Sequence, residues 1–215
     1  MATSTKPQAV KSLLERYPRT FTEEIGVDPF KDKPAELFGV LTFALLASTR
    51  ISFDLAIAGA KALRDAGWTT VEKMADSTWR QRTDTLNQAG YARYDESTSR
   101  YLGDTCEMLV QKYDGDLRRL RETAGLDPDE ERELLKACKG IGDVGVDIFF
   151  REAQGVWDEL FPFADERAIK AARRLKIGNS AQDIASAAGS RKDAVRLVAA
   201  LVRCELEDAY GEIEG

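Results

Sequence analysis

The 215-residue chain contains no histidine, and that absence excludes more chemistry than any residue present suggests. Without imidazole there are no histidine-ligated metals and no serine–histidine or cysteine–histidine nucleophile pairs. Acid–base work falls to carboxylates, lysine and tyrosine. Cysteine is scarce as well: Cys106, Cys138 and Cys204 are too widely spaced for a zinc or iron–sulfur ligand run, and an odd number suits no disulfide framework. They read as reduced, buried apolar groups of a cytosolic protein. Long hydrophobic runs are missing too. The longest, LFGVLTFALLA from Leu37 to Ala47, has 11 residues where a membrane span needs roughly 20. The opening stretch MATSTKPQAVKSLLERYPRT lacks the apolar centre of a signal peptide.

What is present describes a helical protein. At 43% hydrophobic and 32% charged, the chain can bury a core of one large domain or two interleaved lobes. Its punctuation is that of helices. Pro34 suits a first helical position and opens a helix to about Ser48, and Ser52 caps the next, which Gly67 ends. Thr69 to Glu72, TTVE, has the form of a capping box. Further helices are predicted over about 78–88, 95–113, 116–125, 143–153 and 166–176, with two last ones starting at Ser180 and Ser190. In DPDEERELLKACKG, Asp127 is the cap, acids come early and Lys136 and Lys139 come late, as the helix dipole favours. No segment sustains period-two alternation, so no sheet is expected.

Two stretches carry chemistry. In LLKACKGIGDVGVDIFF, Gly140 and Gly142 flank one apolar residue between two helices, so the chain reverses tightly and the amides opening the second helix point outward. Such a nest binds an anion, phosphate above all. The same spacing also serves an ordinary helical corner, and Asp143, beside it, would repel a phosphate. Downstream, Asp165 is placed to cap a helix that then carries Arg167, Lys170, Arg173, Arg174 and Lys176 with no acid among them. On a chain of net charge -6 this is a local basic stripe: a nucleic-acid contact, or a plain solvated face.

Together these stretches resemble a known family. GIGDVGVDIFF followed by FADERAIKAARRLK is similar to the helix-hairpin-helix and Gly/Pro-rich-loop-and-Asp signature of the endonuclease III superfamily of DNA glycosylases. LFGVLTFALLASTRIS resembles that family's first barrel helix and lesion-side loop, and LNQAGYARYDESTSRYL the loop and helix that supply its second wedge. The likeness runs from Pro34 to Leu206. It implies an all-α, two-lobed, endonuclease III-like fold. One lobe would be continuous over 34–155 and contain the helix-hairpin-helix at about 134–153; the other would join 1–33 to 156–215.

The departures narrow the chemistry. Val144 stands where bifunctional relatives carry a Schiff-base lysine, Lys139 where many have proline, and Asp143 where they have a basic residue. The C-terminal four-cysteine cluster of many relatives is absent, Cys204 being alone in LVRCELEDAYGEIEG. The resemblance therefore implies a branch without an iron–sulfur cluster, with no resident metal or cofactor, and with room for a monovalent cation at the hairpin.

It implies roles residue by residue. Asp165 would be the catalytic carboxylate, with Glu166 a weaker rival and a plain N-cap the bland alternative. Lys139, Gly140, Ile141, Gly142, Val144 and Gly145 of the hairpin, with Arg167 and Lys170, would contact DNA. Thr49, Arg50, Tyr91, Arg93 and Tyr94 would line the lesion-side loops, because a glycosylase must expel a nucleotide from the duplex. Phe149, Phe150, Trp68 and Trp79 read as core. The expected function is a monofunctional base-excision glycosylase, a monomer acting on double-stranded DNA in the cytoplasm at the nucleoid, away from membranes. The alternatives are a noncatalytic lesion- or structure-binding protein of the same fold and, from a third class, a protein-interaction or nucleotide-processing module.

Overall fold

The computed structural model describes residues 5–214. In chain order the helices are α1 (Lys6–Arg16), α2 (Phe21–Glu24), α3 (Pro34–Ala47), α4 (Phe53–Asp65), α5 (Val71–Ala75), α6 (Trp79–Gln88), α7 (Asp95–Tyr113), α8 (Leu117–Thr123), α9 (Pro128–Lys136), α10 (Asp143–Ala153), α11 (Glu166–Arg174), α12 (Ala181–Ala188), α13 (Arg191–Glu207) and α14 (Tyr210–Glu214). A 3-10 turn covers Asp158–Leu160. No strand occurs among the described residues, so the fold is all-α.

Most boundaries have local causes. Pro34 opens α3, and the Ser52 hydroxyl caps α4 by accepting from the Leu55 amide. Asp127 caps α9 by accepting from the amides of Asp129 and Glu130, and Ser190 caps α13. Two reciprocal capping boxes form, Thr78 with Gln81 and Ser180 with Asp183. The box expected at Thr69–Glu72 does not: Thr70 is the cap of α5, accepting from the Lys73 amide, one residue further on. Helix α11 stops at Arg174, two residues short of the expected end, and Lys176 has a left-handed φ of 55°.

The chain divides into two compact units, Thr22–Phe149 and the paired termini Met1–Phe21 with Phe150–Gly215. The divisions expected from the sequence are 33/34 and 155/156. In the continuous unit, α3 is the core helix. It packs on α4, α7 and α8, and it buries Leu37, Phe38, Leu41, Phe43, Leu45 and Leu46 on different sides. Full burial of each such side chain stabilises by about 1.5–3 kcal/mol, which is why this apolar run has no polar face to show. In the terminal unit α13 is central, packing on α1, α11 and α12. Arg191, at the start of α13, closes the end of α10 by donating to the carbonyls of Gln154 and Trp157.

Candidate functional site

The hairpin joins α9 to α10. Gly140 turns the chain with φ +90°, and a Cβ added there would lie 2.7 Å from the Tyr101 ring. Both facts demand glycine. Gly142 is different: nothing lies within 4 Å of a Cβ added to it. Ile141, between them, is buried and acts as a plug beneath the first turn of α10, 3.1 Å from a Cβ added to Gly145. The amides opening α10 have no partner within the helix, as at any helix start. Val144 is 58% exposed on this turn.

Charge around the hairpin is balanced rather than positive. Lys136 bridges Glu133 at 2.8 Å and Asp143 at 3.2 Å; Arg132 pairs with Asp147 at 2.7 Å; Lys139 pairs with Asp104 at 3.2 Å. Hydrogen bonds that Lys136 donates to Glu133 and Asp143 raise its pKa above the ordinary value.

The two loops expected to face a lesion are joined to each other. The Thr49 hydroxyl and the Tyr91 hydroxyl lie 2.9 Å apart, and both contact the Leu46 carbonyl at the end of α3. Thr98 of α7 is a further neighbour of Tyr91 at 3.4 Å. Tyr91 is therefore a wholly buried latch between loops, and burial raises its pKa. Arg50 and Arg93 are exposed, and Thr49 and Tyr94 are half-buried. Arg93 lies over the Tyr94 ring, 5.2 Å from its centroid. Of the four aromatics read as core, Phe149 and Phe150 are buried, Trp68 is half-buried, and Trp79 is exposed, its indole N–H donating to the Glu96 carbonyl.

In the terminal unit, Asp165 caps α11: Oδ1 accepts from the Ala168 amide at 3.0 Å. Its other oxygen, Oδ2, accepts from Arg151 of α10, from Nε at 2.8 Å and also from Nη2. The pair is sealed, with side-chain exposures of 3% for Arg151 and 6% for Asp165. Gln154 braces the intervening loop by donating to the Phe163 carbonyl and accepting from the Phe163 amide. Glu166, the rival carboxylate, is exposed.

Helix α11 and Lys176 just beyond it carry the basic stripe, and part of it is already engaged. Lys170 is paired with Glu205, and Arg174 pairs with Asp208 while lying 3.6 Å from the Tyr210 ring centroid. Arg167, Arg173 and Lys176 are exposed, and among the described residues none of them makes an ion pair.

Sequence reasoning missed Arg151. Arg151 left one legible signal: it follows Phe149 and Phe150 inside a run of buried residues, and an arginine there requires a buried anion. The three cysteines are each buried and free; Cys106 and Cys138 belong to the continuous unit and Cys204 to the terminal one. Such a donor set does not fit a four-cysteine cluster, and no group of three or more metal-ligating side chains converges among the described residues.

No family model matches the chain, and no curated protein does. Among solved structures the chain is similar to one described as a trapped endonuclease III–DNA covalent intermediate in an estranged-adenine complex. The identity is 16% and the TM-score 0.50, covering 93% of this chain and 85% of that one. The fold is accordingly the endonuclease III-like helical fold.

Proposed function

We propose that the chain binds double-stranded DNA as a monomer and hydrolyses the N-glycosidic bond of a damaged or mispaired base, using Asp165 and water. The observation that carries this reading is the placement of Asp165 at the N-cap of α11, a helix with exposed basic residues, within the fold that endonuclease III uses. In the reaction the bond from C1′ to the base breaks and its electron pair leaves with the base, which takes up a proton. The sugar becomes oxocarbenium-like, a carboxylate stabilises that cation, and water supplies the hydroxyl that C1′ acquires. Arg167, Arg173 and Lys176 supply phosphate contacts, and the hairpin amides from Gly142 onward supply another. No cofactor takes part, and the place of action is the nucleoid. No helix among the described residues is long and apolar enough to cross a membrane.

The proposed enzyme has no lyase step. Val144 offers no amine, and Lys136 is held as a paired ammonium, a poor nucleophile. A panel of lesion-bearing duplexes, treated with alkali after incubation, reveals abasic sites where a base has been released. Borohydride trapping on the same substrates is expected to give no adduct.

A second reading has its own observation. Both oxygens of Asp165 already accept hydrogen bonds, and Arg151 makes the pair electrically neutral. That favours a noncatalytic protein that binds DNA lesions or structures and keeps the fold. It requires salt-dependent duplex binding without base release by any variant of the chain.

A further inference from the structure

Arg151 is the charged group nearest Asp165, and the proposed reaction does not use it. Its guanidinium donates twice to one oxygen of Asp165 rather than spanning both, so the fork meets the carboxylate end-on. The remaining nitrogen, Nη1, is buried and has no acceptor. The guanidinium also lies 5.5 Å from the Phe21 ring centroid. A buried arginine with a donor unused is an expensive way to hold an aspartate whose cap bond is already made.

The electrostatic effect falls on Asp165. A lone carboxylate stabilises a developing sugar cation through its field. A carboxylate touching a guanidinium acts as a short dipole, whose field decays faster with distance and is partly cancelled at the sugar. We propose that Arg151 is a positioning residue that restrains Asp165: it fixes the carboxylate's orientation while withholding most of its charge from the sugar, so that the charge at position 151 sets the rate of base release. The inference rests on the glycosylase reading above.

The test compares neutral and charged replacements. Single-turnover base release is measured for wild type, Arg151→Gln, Arg151→Met, Arg151→Lys and the Arg151→Gln/Asp165→Asn double variant. Salt-matched duplex binding and melting temperature are recorded for each. The expected result is release by Arg151→Gln about tenfold or more faster than by Arg151→Lys and faster than by wild type, with the gain lost in the double variant. A purely structural arginine gives the opposite pattern, because Gln and Lys both lose the fork and both slow the reaction. Release by wild type with Arg151→Gln equal or slower overturns the role of Arg151 alone. No release by any folded, DNA-binding variant across the lesion panel overturns the glycosylase reading, and this proposal with it. If neither Arg151→Gln nor Arg151→Met folds, the guanidinium belongs to stability and the proposal falls.

Discussion

The Ser48 hydroxyl donates to the Gly140 carbonyl at 3.2 Å, tying the loop after α3 to the hairpin turn across 92 residues of chain. Gly145 completes the junction, since a Cβ added there would meet Ser48 at 3.4 Å and Ile141 more closely. Loop and hairpin are thus one packed object within the continuous unit, and its two turn glycines have separable jobs.

Gly140→Ala meets both a left-handed φ of 90° and the Tyr101 ring. It is expected to destabilise by more than about 1 kcal/mol. Gly142→Ala meets neither, so stability should stay within about 0.5 kcal/mol of wild type. If the outward amides take a phosphate, the added methyl weakens duplex binding without a matching loss of stability. Urea melts and salt-matched binding isotherms check both; unaltered binding by Gly142→Ala would remove the hairpin from the DNA interface.

Asp165→Asn separates cap from charge. As a cap alone, Asp165 would lose no more than about 1 kcal/mol, because Asn caps about as well. The structure raises that figure: Arg151, 3% exposed, is left without its counter-charge, and removing one member of a buried pair costs about 3–5 kcal/mol. Base release should fall on the order of 100-fold when measured below the variant's melting temperature. A stability loss under about 1 kcal/mol contradicts the buried pair; wild-type-like release removes Asp165 from the reaction.

Cations already paired should matter less than unpaired ones. Replacing Arg167, Arg173 and Lys176 together by alanine should flatten the dependence of log affinity on log salt by about 2–3, at about 0.9 for each phosphate no longer neutralised. Lys139→Ala should change the slope by less than one, since Asp104 already holds that ammonium. Asp143→Asn, which removes an acid from the first turn of α10, should tighten binding. Equal effects from Lys139 and the α11 cations would show that the pairing with Asp104 does not persist on DNA.

The cysteines make alkaline pH destabilising. Burial pushes Cys106 and Cys138 up to about 12, and Cys204 up to about 11, from an ordinary value of 9.0. The folded state therefore holds protons that the unfolded chain releases from about pH 9 upward. Their contribution is complete below that pH and is lost as pH rises through 11 to 12. Urea midpoints should fall between about pH 8 and pH 10.5, and a thiol reagent at about pH 8 should modify none of the three in the native protein. Rapid modification of any one would contradict its burial.

The parts legible in the sequence are those with local causes. Pro34, Ser52, Asp127, Ser180 and Ser190 each satisfy the needs of their own helix start, so neighbouring residues suffice to read them. The step from Thr69 to Thr70 shows the limit, since adjacent threonines cap equally well and packing of Val71 and Met74 sets the register. Helix α1 has no side-chain cap and depends on burial of residues such as Ala9 and Leu13. Tyr91 could be named as a loop aromatic, yet whether its ring points outward or into the core depends on Leu46 and Thr98, which other elements supply. Arg151 lies 14 residues before Asp165, with the end of α10 and a braced loop between them, and no spacing rule joins the two.

The cations of α11 are governed from the far end of the chain. Lys170 and Arg174 are held by Glu205 and Asp208, 35 and 34 residues downstream, and Glu205 is shared with the Tyr210 hydroxyl. Neutralising Glu205 thus frees Lys170 from its counter-charge, and replacing Asp208 does the same for Arg174. If the chain binds DNA as proposed, removing these acids should strengthen its attachment to polyanions in general, so that they are positions where avidity is tuned separately from the cations themselves.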